Sequence, residues 1–204
     1  MKPFTTIVSK AIPLVRDNID TDIIIPSREM KSVSKTGLAD GLFAGWRYTE
    51  IGGREPREDF VLNQPEYEDA QILLAGENVG CGSSREHAAW ALAEYGIRVV
   101  IAPSFNPIFY GNCIRNGILP VRGCAKALAE TGGLIEVDLE TCTVKPLTGA
   151  SCSFEIADEA RTMLLEGLDP IDLTLKRAGE IAAFRNKDRA ARPWIYELSD
   201  SPDE

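Results

Sequence analysis

The sequence predicts an α/β protein with a mixed, partly parallel sheet and helices at its C-terminal end, on three observations. Over residues 70–131, short apolar β-branched runs alternate with helix-forming runs. Strand–helix–strand–helix–strand at that spacing argues for parallel pairing with right-handed crossovers. Residues 133–156 then read as a hairpin and one further strand, and helical patterns follow. At 204 residues, 44% of them hydrophobic, the chain can bury one sizeable core.

The elements follow in order. Thr5 to Ile12 is β-branched enough for a first strand, ended by Pro13. Asn18 to Pro26 places Asn18, Asp20 and Asp22 ahead of three isoleucines, a turn feeding a short buried segment. Asp20 and Asp22 are either site carboxylates or acceptors for backbone N–H groups in an Asx-type turn, the use that short polar side chains favour there. Residues 27–58 carry five glycines and lack sustained periodicity. Leu38, Leu42, Phe43 and Trp46 fit one short amphipathic helix, and the rest reads as a long loop of the kind that usually carries function. Strands are expected at 70–75, 97–103 and 118–121, with helices over 85–95, 106–116 and 125–131. In the second of these, Pro107 stands in the first turn and Gly117 just past the end. The hairpin turns around Glu140-Thr141, and 151–156 is a last strand. Helices are expected over 159–167 and 171–185, the latter with Leu, Ile, Ala and Phe facing inward. Residues 1–185 thus form one domain, and 186–204 a charged tail in which Pro193-Trp194-Ile195-Tyr196 has the character of a docking segment.

One junction has unusual chemistry. Between the strand ending at Ala75 and the helix beginning near Arg85 lies Gly76-Glu77-Asn78-Val79-Gly80-Cys81-Gly82-Ser83-Ser84. So little side-chain bulk leaves backbone N–H groups and the positive end of a helix dipole free to face an anion. Ser83 and Ser84 add hydroxyls, and Arg85 adds a cation able to grip a carboxylate through two parallel hydrogen bonds. The competing reading is structural, since Ser83 and Glu86 have the spacing of a capping box. The glycine pattern completes neither a P-loop nor a dinucleotide fingerprint.

Composition removes several function classes. The net charge is −9 and no Lys/Arg run exceeds two, so a nucleic-acid partner is not expected. No apolar run approaches 18 residues and the N-terminus starts no signal-like segment, so no membrane partner and a cytoplasmic location are expected. Five cysteines, at 81, 113, 124, 142 and 152, form neither a disulfide framework nor a CxxC metal spacing and read as reduced, mostly buried thiols. The single histidine, His87, is expected to bond to backbone or to Glu86.

Three segments carry a family resemblance. Gly76 to Leu92 (GENVGCGSSREHAAWAL) resembles the signature of the small subunits of 3-isopropylmalate dehydratase, equivalent to the swivelling domain of aconitase. Asn18 to Pro26 (NIDTDIIIP) is similar to that family's N-terminal motif. Ser104 to Cys113 followed by Asn116-Gly117-Ile118-Leu119-Pro120 is the third match. The resemblance implies a single swivelling β/β/α domain of aconitase type and a hydro-lyase reaction in leucine biosynthesis that moves a hydroxyl between adjacent carbons. It implies that Ser83 is the catalytic base, that Arg85, Ser84 and Gly82 bind a substrate carboxylate, and that Arg28 and Lys31 face the variable end of the hydroxy-diacid. It further implies that this chain holds no cofactor or metal of its own and that a [4Fe–4S] cluster sits in a partner large subunit. Where the family usually has an aromatic-Leu pair, this chain has Glu29-Met30, which keeps a related diacid of the 2-methylmalate/citraconate type open as substrate. A non-catalytic dicarboxylate-binding module is the reading from a different class.

Overall fold

In the computed structural model, residues 1–30 and 34–196 are described. The chain divides into two units, Met1–Gly167 and Leu168–Glu204.

The first unit is organised around β1 (Thr6–Leu14). On one side lie β2 (Ile72–Ala75), β3 (Val99–Ala102) and β4 (Leu119–Arg122), all parallel to it in succession. On the other lie β5 (Leu134–Asp138), β6 (Thr143–Pro146) and β7 (Cys152–Ser153), each antiparallel to the strand before it in the sheet. The order is β4-β3-β2-β1-β5-β6-β7, so the mixed sheet read from the sequence is present. Every residue of β2 and β3 is buried, as expected of parallel strands covered on both faces. β1 does not stop before Pro13: Pro13 pairs with Leu74. β5 pairs only with residues 6–10, so Pro13 lies where β1 has a single neighbour, the position that tolerates a missing N–H.

The helices of this unit are α1 (Thr21–Ile24), α2 (Ala44–Arg47), α3 (His87–Tyr95), α4 (Pro107–Arg115), α5 (Ala125–Thr131) and α6 (Asp158–Glu166). α4 keeps the local rules: the Asn106 side chain accepts from the Ile108 N–H, Pro107 opens the helix, and Gly117 follows it at φ +74°. Phe109 and Cys113 bury α4 against the sheet, and Ala88, Ala91 and Leu92 do the same for α3. The single helix expected over Leu38–Trp46 is instead a 3-10 turn (Ala39–Gly41) and α2. Phe43 breaks it by taking a left-handed backbone at φ +52°. Leu38, Leu42 and Phe43 are nevertheless core residues, and Trp46 stacks on Phe43 with ring centroids 6.0 Å apart.

The second unit holds α7 (Pro170–Leu175) and α8 (Ala178–Ala191), followed by a 3-10 turn over Pro193–Ile195. A reciprocal capping box between Asp169 and Asp172 starts α7. The continuous helix expected over 171–185 is interrupted at Lys176-Arg177, and α8 runs on to Ala191. The apolar residues expected to face inward, Ile171, Leu175 and Phe184, are exposed. Periodicity marks an apolar stripe but does not say that this chain covers it.

Candidate active site

Three loops leave the carboxyl ends of the parallel strands β1, β2 and β3 and are sewn together by main-chain hydrogen bonds. Ligands gather at this end of open α/β sheets. From the first to the second loop, Asn18 N–H donates to Glu77 O, and Thr21 N–H to Cys81 O. In return Gly80 N–H donates to Ile19 O at 2.7 Å. From the second to the third, Val79 N–H reaches Ser104 O, while Asn106 N–H donates back to Val79 O. Side chains complete the stitching: Asn78 donates to the Asn18 carboxamide, and Glu77 N–H to Asp17. The segments singled out in the sequence, 18–26, 76–92 and 104–120, are therefore one structure.

Two glycines allow that approach. A Cβ on Gly80 would lie 2.0 Å from Phe109 Cγ, at φ +74°. Gly82 sits at φ +94°, over Asp20 and Thr21. Both positions need a left-handed backbone, and Gly80 also needs an absent side chain.

Ser83 is half-buried, with its N–H donating to Thr21 Oγ1 at 3.0 Å. Its own Oγ accepts from Arg85 Nε at 2.8 Å and from the Arg85 N–H at 3.3 Å. Arg85 Nη2 donates to Asp22 as an ion pair. One guanidinium thus holds the Ser83 hydroxyl on one edge and a carboxylate on another. Arg85 and Asp22 border a cleft of about 470 Å³ whose wall also includes Ile23, Pro26, Arg28 and Trp46. Ser84 and Gly82 are exposed in the same loop, with Ser84 O accepting from Asn112. The structure therefore brings Ser83, Arg85 and Arg28 to one side of the molecule. Lys31 lies outside the described residues.

Several expectations need correction. Asp20 behaves as read, capping α1 by accepting from the Ile23 N–H at 2.7 Å. Asp22 does not: its carboxylate is the partner of Arg85. The Ser83–Glu86 capping box does not form, because the hydroxyl is spent on Arg85 and Glu86 accepts from Asn116 Nδ2 at 2.6 Å. α3 accordingly begins at His87, two residues later than expected. His87 has a buried Nδ1 with no hydrogen bond among the described residues, its ring lying 4.6 Å from that of Trp90. Only Cys113 among the thiols is buried, and burial pushes its pKa well up; Cys124, just before α5, and Cys152, on the short strand β7, are exposed. Thr21, Trp46 and the pairing of Asp22 with Arg85 are what local sequence reading missed at the site. Thr21 and Asp22 stand inside a motif flagged for its turn chemistry, but their partners are more than sixty residues away.

Residues 1–126 match the family model of the aconitase C-terminal domain. The chain is 56% identical to a 3-isopropylmalate dehydratase small subunit of Cupriavidus necator, over 96% of this chain and 99% of that one. A 3-isopropylmalate dehydratase small subunit of Brucella anthropi is 48% identical, over 95% of this chain and all of its own. Among solved structures, a 3-isopropylmalate dehydratase from Methanocaldococcus jannaschii superposes with a TM-score of 0.67 at 28% identity, covering 88% of this chain and 99% of that one.

Proposed function

Because the chain belongs to the family of 3-isopropylmalate dehydratase small subunits, we propose that it is the proton-handling half of a hydro-lyase interconverting 2-isopropylmalate and 3-isopropylmalate in leucine biosynthesis. The observation that carries this reading is the Arg85 Nε–H on Ser83 Oγ at the edge of the cleft.

Dehydration begins with loss of a proton from a carbon beside a carboxylate, which is unfavourable because it adds negative charge to an anionic group. A base aligned with the C–H bond and positive charge on that carboxylate both lower the barrier. Ser83 supplies the base. Its hydroxyl is weak as such, but both groups that contact it donate hydrogen bonds, and donors favour the oxyanion over the neutral form. Arg85 binds the carboxylate through the Nη edge that Asp22 now holds, so substrate takes the place of Asp22 on the guanidinium. The Ser84 hydroxyl and the Gly82 N–H hydrogen-bond the same group. Arg28 faces the far end.

Departure of hydroxide calls for a Lewis acid. Among the described residues no group of three or more His, Cys, Asp or Glu side chains is placed to hold a metal ion. The large subunit's [4Fe–4S] cluster supplies that chemistry, and this chain is active only with that partner.

The Glu29-Met30 departure does not favour a smaller diacid. Glu29 turns into the protein onto Arg54, and Met30 packs against the core. Ile23, Pro26 and Trp46 remain to give the cleft apolar wall, which suits a branched alkyl group. Reconstitution tests the proposal: the chain and its large subunit should each be inactive alone and should turn over 3-isopropylmalate when mixed, with higher kcat/KM than for 2-methylmalate. Turnover by this chain alone, or a verified complex that turns over neither diacid, contradicts it.

A further inference from the structure

Glu29 is a buried carboxylate in a segment otherwise given to turns. Its side chain is 5% exposed, and it is gripped from two sides. Arg54 Nη2 donates to Oε2 at 2.6 Å, and Arg28 Nε lies 3.4 Å from Oε1. The niche is shaped to the side chain: a Cβ on Gly41 would lie 2.7 Å from Glu29 Cβ, so the backbone of residue 41 packs directly on its stem. A buried charge is tolerated only when paired, so Glu29 holds its ion pairs or the segment rearranges. Arg28 also borders the cleft that Arg85 borders from the other loop.

We infer that Glu29 and Arg54 are positioning residues for substrate recognition: Arg54 anchors Glu29, and Glu29 holds Arg28 at the cleft so that Arg28 and Arg85 are spaced for the two carboxylates of a diacid. The inference rests on the reading of Arg28 as a substrate-binding residue. Neither Glu29 nor Arg54 touches substrate. Pre-setting Arg28 removes the cost of ordering a long, flexible side chain when substrate binds. Each role predicts a different signature. A residue that only stabilises the fold changes melting temperature and amount of active complex, whereas a residue that orients a binding guanidinium changes KM and leaves kcat.

The test uses the complex with the large subunit and steady-state rates on 3-isopropylmalate. Arg54→Met should raise KM about tenfold with kcat within about twofold, Arg54→Lys should recover part of the loss, and Glu29→Gln should act in the same direction. Arg28→Ala should raise KM at least as much, and adding Arg54→Met to it should raise KM no further, because the two act through one contact. If Arg28→Ala raises KM while Arg54→Met, assembled normally, does not, the relay is wrong and the Arg28 reading stands. If Arg54→Met costs the same with and without Arg28, the relay is equally wrong. If Arg28→Ala leaves KM unchanged, the underlying reading fails and the relay with it. Should Arg54→Met not assemble, Arg54→Lys and Glu29→Gln decide by the same criterion.

Discussion

The loop after β2 and the segment 27–58 are both rich in glycine and turns, yet they are held in different ways. Residues 76–83 are laced to two neighbouring loops chiefly through main-chain donors and acceptors. The segment 27–58 is pinned at long range largely by side chains: Arg54 on Glu29, Arg47 on Asn63, and Glu94 accepting from the N–H groups of Gly37, Leu38 and Ala39. Main-chain stitching depends little on side-chain identity, so it fixes the serine and arginine whatever the substrate's alkyl group. Side-chain pins can be exchanged one at a time, which would suit the part proposed to choose among diacids. On the proposed function, chemistry would sit on the loop stitched by main chain and selection on the segment pinned by side chains.

A matched pair of glycine substitutions would break or sharpen this contrast most strongly. Gly80 and Gly52 have nearly the same left-handed φ, +74° and +79°, but Gly80 is pressed on Phe109 while Gly52 has open space around it. Gly80→Ala should cost about 3–5 kcal/mol, the sum of backbone strain and forced repacking, and Gly52→Ala about 1 kcal/mol from backbone strain alone. Denaturant unfolding of the two variants measures the difference. Equal costs would mean that the loop after β2 is no more tightly fitted than the other segment.

A smaller effect is expected at Glu94, one of the side-chain pins. Burial tends to raise its pKa, but the three N–H donors outweigh that and hold it below the ordinary 4.5. A depressed folded-state pKa means that the stabilisation is complete above the unfolded value and is lost as pH falls through the folded one. Glu94→Gln should therefore cost about 1 kcal/mol near neutral pH, a charge-assisted bond discounted for solvent exposure, and progressively less below about pH 4.5. Thermal melts of both proteins across that range check it; a gap that widens in acid would contradict the assignment.

What could be read from the sequence follows the same division. Asn106, Pro107 and Gly117 act within a few residues of themselves, so α4 was legible almost to its ends. The parallel strands were legible from composition because both of their faces are buried. The serine–arginine loop stood out by its residue types alone, whereas its link to Asp22 spans 63 residues and leaves no local trace. The capping-box spacing at Ser83 and Glu86 was misleading because both side chains have tertiary partners that outcompete the helix end. The burial of Glu29 was not legible for a similar reason: its partner Arg54 lies 25 residues on, across turns that periodicity does not describe.

The most direct test of the split catalyst is the turnover number of Ser83→Ala assembled with the large subunit, with association measured on the same sample. Loss of the proton-handling hydroxyl should lower kcat about 10²–10⁴-fold while the two subunits bind as tightly as before. A variant complex that isomerises 3-isopropylmalate at close to the unmodified rate would contradict the assignment of the base to this chain.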